Sequence, residues 1–129
     1  LIVAPDEKDV DAIIKSLATK FDNMLKISSA STREERYRNF LLSMRLETSV
    51  VVGTRSAIFA PVYNLNTIIV HKESSLDHYE IRSPGWNSRS VALIRSKSES
   101  VKLILTGFSP SIEVSQLIEE RAVVLFEYL

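Results

Sequence analysis

The chain has 129 residues, of which 45% are hydrophobic and 25% charged, with Lys+Arg and Asp+Glu equal at 16 each. That length allows one compact domain with a real core, and the balanced charge argues neither for nor against a nucleic-acid partner. The absence of cysteine excludes disulfides and thiolate zinc ligands and fits a reducing, cytoplasmic setting. No apolar run approaches the ~20 residues of a membrane span.

In chain order, residues 1–4 (LIVA) read as a buried strand stopped by Pro5 and Asp6. The chain opens on this strand rather than on Met, which reads as a piece of something longer. Val10, Ile13, Ile14, Leu17 and Phe21 then recur at helical spacing. Residues 25–29 suggest a short strand. Ser31 with Glu34, or Thr32 with Glu35, offers a capping box for a helix whose apolar face is Tyr37, Phe40, Leu41 and Met44. Arg33, Arg36, Arg38 and Arg45 lie on the same helix, but Glu34 and Glu35 dilute them, so the basic residues read as a solvated face.

Residues 49–53 (SVVVG) and Ile68 to Val70 are buried strands, and 71–88 is a long polar stretch. A helix is expected over 91–97 and a strand over 101–105. Ser109 and Pro110 read as an N-cap followed by Pro at the first helical position, with Val114, Leu117 and Ile118 continuing that helix. A last strand is expected over 122–129. The alternation of helices with near-continuous apolar strands predicts an α/β domain, its sheet mostly parallel with helices on both faces.

Few segments carry chemistry. With three glycines in all, the chain has neither a G-x-x-x-x-G-K-[ST] nor a G-x-G-x-x-G phosphate loop. His71 and His78, with Glu73 and Asp77, imitate a metal cluster, but their spacing matches no ligand motif and a solvated loop is the plainer reading. No metal site is expected. No serine sits in a G-x-S-x-G elbow. Trp86 reads as a base-stacking platform or as a packing anchor. "GTRSA", 53–57, is more pointed. Gly53 is expected to let the backbone turn, and Thr54, Arg55 and Ser56 then present two hydroxyls and a guanidinium at a strand's carboxyl end. That set suits a phosphate. It equally suits a capped turn with Arg55 in an internal ion pair.

"VVGTRSAIFAPVYNL", 51–65, resembles the PriA family of primosomal replication-restart helicases (primosomal protein N′), which read I-G-T-R-S-A-L-F-x-P-x-x-N-L here. "IIVHKES" falls where the family has a strand followed by Asp-Glu-Glu-His. "WNSRSVALIR" is similar to its Y-H-A-R-D-x-A-x-x-R, "LILTGFSPSIE" to its strand and G-S-A-T-P-S-L-E, and "LIVAPDEKDV" to the strand opening its motif Ia. The resemblance implies a RecA-like fold of the P-loop NTPase type. Residues 1–129 would form a single partial first motor domain spanning motifs Ia to III, with the Walker A strand and loop upstream. The family uses ATP with magnesium, and zinc in another domain; no cofactor is expected in this chain.

At the acidic motif stand His71, Lys72, Glu73 and Ser74, and at the Ser-Ala-Thr motif Gly107, Phe108, Ser109 and Pro110. In such motors the first two acids hold magnesium and polarise the attacking water, and neither His71 nor Lys72 is a carboxylate. The resemblance therefore implies a degenerate domain that is no longer an ATPase. It implies a replication-restart platform for forked DNA, with Thr54, Arg55 and Ser56, then Pro5 and Asp6, as DNA contacts. Partners implied are forked DNA, other domains of the parent chain and replication-restart proteins, with no membrane. Two alternatives remain: a residual ATP-binding and hydrolysing helicase domain whose Walker A lies upstream, and a structural docking module.

Overall fold

A computed structural model describes residues 1–45 and 47–127. Its centre is a five-stranded, wholly parallel sheet in the order β2-β3-β1-β4-β7. The strands are β1 (Ile2–Val3), β2 (Met24–Ile27), β3 (Val50–Gly53), β4 (Thr67–Val70) and β7 (Lys102–Leu105). A two-residue antiparallel hairpin, β5 (Tyr79–Glu80) with β6 (Trp86–Asn87), stands apart from it. The helices are α1 (Glu7–Leu17), α2 (Arg33–Ser43), α3 (Ser88–Glu99) and α4 (Ile112–Glu119). This is an α/β arrangement compatible with the RecA-like expectation.

Strand alternation sorts the core into two faces. Val3, Ile68, Val70, Leu103 and Leu105 point to one face and pack with Ala92 and Val91 of α3 and with Ile58 of a 3-10 turn over Arg55–Phe59. Ile2, Val52 and Ile69 point to the other, against Val10, Ile13, Ile14 and Leu17 of α1. Phe40 of α2 joins Ile27, Val51, Ala57 and Ala60 on the α3 side.

Helix starts follow side-chain caps. Asp6 accepts the Asp9 N–H at 2.8 Å. Thr32 and Glu35 form the full capping box, so of the two boxes offered by the sequence the second is used. Several expectations shift. α1 stops at Leu17, where the N–H groups of Lys20 and Phe21 both fold back onto the Leu17 carbonyl, and Phe21 is exposed. The helix expected over 91–97 begins earlier, at Ser88, because Asn87 caps it through the Arg89 N–H. α4 is capped by Ser111, not Ser109. Tyr37, Leu41 and Met44 form an exposed stripe, since α2 overlies β2 at the edge of the sheet and only Phe40 turns inward. The strand expected at the end is absent over 122–127; Tyr128 and Leu129 lie outside the described residues. Gly53 has no positive φ. Its lack of a side chain answers a contact instead: a Cβ there would lie 2.2 Å from the Ile27 carbonyl oxygen and 2.5 Å from the Ala57 Cβ.

Candidate functional site

In parallel α/β sheets, ligands gather beyond the carboxyl ends of the strands. Here two clusters of side chains lie there. The first surrounds the end of β4. The His71 N–H continues the ladder onto the Val3 carbonyl at 2.8 Å, and its Nδ1 lies 3.0 Å from the Thr106 hydroxyl. Lys72 adopts a left-handed backbone, φ 52°. Its ammonium donates to both carboxylate oxygens of Asp9, at 2.9 and 3.0 Å. The pairing holds the Lys72 pKa above its ordinary value, chiefly through the hydrogen bond to Asp9. Lys72 thus has a carboxylate partner although its side chain is 46% exposed.

Glu73 turns the other way and is buried. Its carboxylate meets Arg89 Nη1 at 3.0 Å, with 3% and 4% of the two side chains exposed. It also accepts the Ser111 N–H at 2.7 Å and the Ser111 hydroxyl at 2.9 Å. The Ser111 hydroxyl in turn accepts the Val114 N–H at 3.2 Å, so Glu73 anchors the residue that caps α4. Arg89 also donates to the Glu73 carbonyl at 3.2 Å. One acidic residue therefore joins the end of β4, the first turn of α3 and the start of α4.

His78 is fully buried beside this knot. Its Nε2 lies 2.8 Å from the His71 carbonyl oxygen, which can only accept, so Nε2 holds the proton in the neutral ring. Nδ1 is buried with no partner. Burial lowers the His78 pKa below 6.5, against a smaller opposing pull from that hydrogen bond. The solvated loop expected around His71, Glu73 and His78 is thus largely interior. Ser74 is exposed.

The donor set does not suit magnesium, which takes oxygen ligands. His71 offers nitrogen, Lys72 brings a positive charge, and the Glu73 oxygens are all engaged. Among the described residues no group of three or more His, Asp or Glu could hold a metal ion.

The second cluster is the GTRS turn. Thr54 is buried, and its N–H and carbonyl bond Ile27 and Ala57, at 3.2 and 2.8 Å. Ser56 is half-buried. Arg55 reaches across to the hairpin, donating to the Tyr79 carbonyl at 2.6 Å and to the Glu80 carboxylate at 3.1 Å. Of the two readings left open for this turn, the internal ion pair is present. Trp86 packs edge-on against Phe59, centroids 4.9 Å apart, as an anchor of the α3 face. Pro5 is buried and Asp6 is the α1 cap. Gly107, Phe108, Ser109 and Pro110 form an exposed loop, Phe108 wholly so.

Asp9, Thr106, Arg89, Ser111, Glu80 and His78 complete these clusters. Only His78 stands out in the sequence, as one of two histidines. The others pair over 16 to 63 residues, which no local pattern reveals.

Three curated proteins are similar to this chain in sequence. A probable replication restart protein PriA of Mycobacterium leprae (strain TN) is 28% identical over 120 residues, 92% of this chain and 18% of its own length. The replication restart protein PriA of Bacillus subtilis (strain 168) is 26% identical over 114 residues, 88% of this chain and 14% of its own. That of Helicobacter pylori (strain J99 / ATCC 700824) is 28% identical over 125 residues, 96% of this chain and 20% of its own. The chain is homologous to PriA. No protein-family model matches it. It spans a fifth or less of these PriA relatives' lengths, which is consistent with a piece of such a protein. Among the described residues, no helix is long and apolar enough to cross a membrane.

Proposed function

We propose that this chain is part of the first motor-type domain of a replication-restart protein, one that binds forked DNA as a platform and does not unwind it. Homology to proteins named for replication restart supports the process. One observation carries the loss of the motor. Where a metal-dependent ATPase keeps two acids at the end of a strand, His71 and Lys72 follow β4, and the Lys72 ammonium is paired with Asp9. Neither side chain supplies the carboxylate that holds the magnesium ion of phosphoryl transfer, and Lys72 occupies the nearby carboxylate of Asp9. Other domains of the parent are the natural partners of the exposed apolar residues Leu76, Ile81, Phe108 and Ile112. Those residues favour interdomain docking as a second role for the same chain.

The test uses the full-length parent with a forked DNA oligonucleotide. Binding is followed by fluorescence anisotropy, and ATP hydrolysis by phosphate release with and without magnesium. The expected result is fork binding with no magnesium-dependent turnover and no strand separation. Turnover stimulated by the fork would establish the residual ATPase instead. A parent that binds no fork leaves docking as the chain's role.

A further inference from the structure

The anion on Arg55 is Glu80, and Glu80 is shared. Arg55 Nη2 holds one carboxylate oxygen at 3.1 Å. The other oxygen accepts the Arg82 backbone N–H at 3.0 Å and Arg82 Nε at 3.2 Å. These donors keep the Glu80 pKa below the usual carboxylate value, the Arg82 backbone N–H first and the Arg82 side chain next. The two holds differ in kind. Arg82 lies two residues from Glu80 on the same turn, and its side chain is 85% exposed. Arg55 comes from 25 residues away, and its Nη1 also donates to the Tyr79 carbonyl at 2.6 Å. Each partner of the Arg55–Glu80 pair thus has a second contact outside the pair, Arg55 on the Tyr79 carbonyl and Glu80 on Arg82.

A guanidinium fork accepts a phosphate in the same geometry as a carboxylate. A partly exposed ion pair is also a weak competitor for a ligand carrying many charges. We propose that Glu80 is an internal stand-in for a nucleic-acid phosphate: it occupies Arg55 until a phosphodiester displaces it, and it then rests on Arg82 alone. The inference builds on the fork-binding reading and adds its regulation. It also reconciles the two uses of the GTRS turn, since the internal pair is the closed state of the DNA contact.

The test compares wild type, Glu80→Gln, Arg55→Ala and the double variant in the full-length parent. Fork affinity is measured against salt, per folded molecule. In wild type the phosphodiester itself displaces Glu80, so Arg55 meets the same phosphate in either protein and the substitution only removes the competitor. Glu80→Gln is therefore expected to tighten binding several-fold with the slope of log affinity against log salt unchanged, and Arg55→Ala to make that slope shallower by roughly one unit. Adding Arg55→Ala to Glu80→Gln should abolish the gain in affinity. Glu80→Ala serves as a second release variant should the Gln side chain disturb the turn. Unchanged affinity in both release variants, with wild type still binding the fork, overturns the gate and leaves the platform standing. A gain that survives Arg55→Ala also overturns the gate, because it then reflects only the loss of a negative charge. If Glu80→Gln gains affinity for inorganic phosphate but not for the fork, the site takes small anions and the nucleic-acid occupant is wrong. No fork binding by any of the four proteins overturns the platform and the gate together.

Discussion

Glu73 is where the structure departs furthest from the solvated loop expected of the sequence, and replacing it tests the difference. In such a loop its carboxylate would face water. Buried against Arg89, with Ser111 donating twice, it is instead a structural joint. Removing one partner of a buried pair costs about 3–5 kcal/mol when the other charge is left uncompensated. Glu73→Gln leaves Arg89 with Glu113 at 3.6 Å and keeps an acceptor for one of the two Ser111 bonds, so the lower end applies, about 3 kcal/mol. With total stabilities of about 5–15 kcal/mol, that is a large share. For a domain of this size it is a fall in melting temperature of roughly 12 °C, at about 4 °C per kcal/mol. Arg89→Met should cost a similar amount. The double variant should cost less than the sum by about 1–3 kcal/mol, the coupling expected of residues in contact. Urea unfolding of the four proteins gives every term of the cycle. A Glu73→Gln protein within about 0.5 kcal/mol of wild type, or an additive double variant, refutes the joint.

Two further outcomes follow from close contacts. Gly53→Ala drives a Cβ to 2.2 Å from a backbone oxygen and should destabilise by about 1–3 kcal/mol. Gly107→Ala, whose Cβ would meet nothing nearer than 3.7 Å, should stay within about 0.5 kcal/mol; equal melting temperatures for the two variants would remove the packing argument. His78 makes stability depend on pH. Its folded pKa lies below the unfolded value of 6.5, so its contribution is complete above that pH. The contribution is lost as pH falls from 6.5 toward the folded pKa, where the unfolded chain binds the proton that the folded chain excludes. Thermal melts of wild type and His78→Phe from pH 7.5 to 5 should diverge in slope only below about pH 6.5, and parallel curves would show that His78 does not titrate with folding.

The sheet is legible because its strands declare themselves one at a time. Val50 to Gly53 and Thr67 to Val70 lie in parallel positions covered on both faces, so their apolar runs are nearly unbroken. The misplaced boundaries share another cause. Ser109-Pro110 has the form of a helix start, yet Ser111 takes the cap while bound to Glu73, 38 residues away. The run from Ala122 has the composition of a strand, but Val124 and Phe126 are exposed and the segment pairs with no strand in the described residues. An apolar run becomes a strand only where an edge receives it.

The candidate site was half legible for a related reason. The motif positions can be found by order along the chain, but what each charge does depends on the group facing it. Lys72 faces Asp9, Glu73 faces Arg89 and Arg55 faces Glu80. Three pairs, each joining separate elements, neutralise the ligand side of the sheet from within. A phosphate arriving there does not fill a vacant cationic pocket. It must displace a carboxylate, and the exchange leaves one more uncompensated negative charge on the protein for each cation it captures. Glu73 is bound to the residue that caps α4, and Lys72 is the one cation paired with Asp9 among the described residues. Glu80 alone has a second cation, Arg82, to receive it. That is why Arg55, rather than Lys72 or Arg89, is the cation on this side that a nucleic acid can take, and why the slope with salt tests the assignment more sharply than affinity at a single salt concentration.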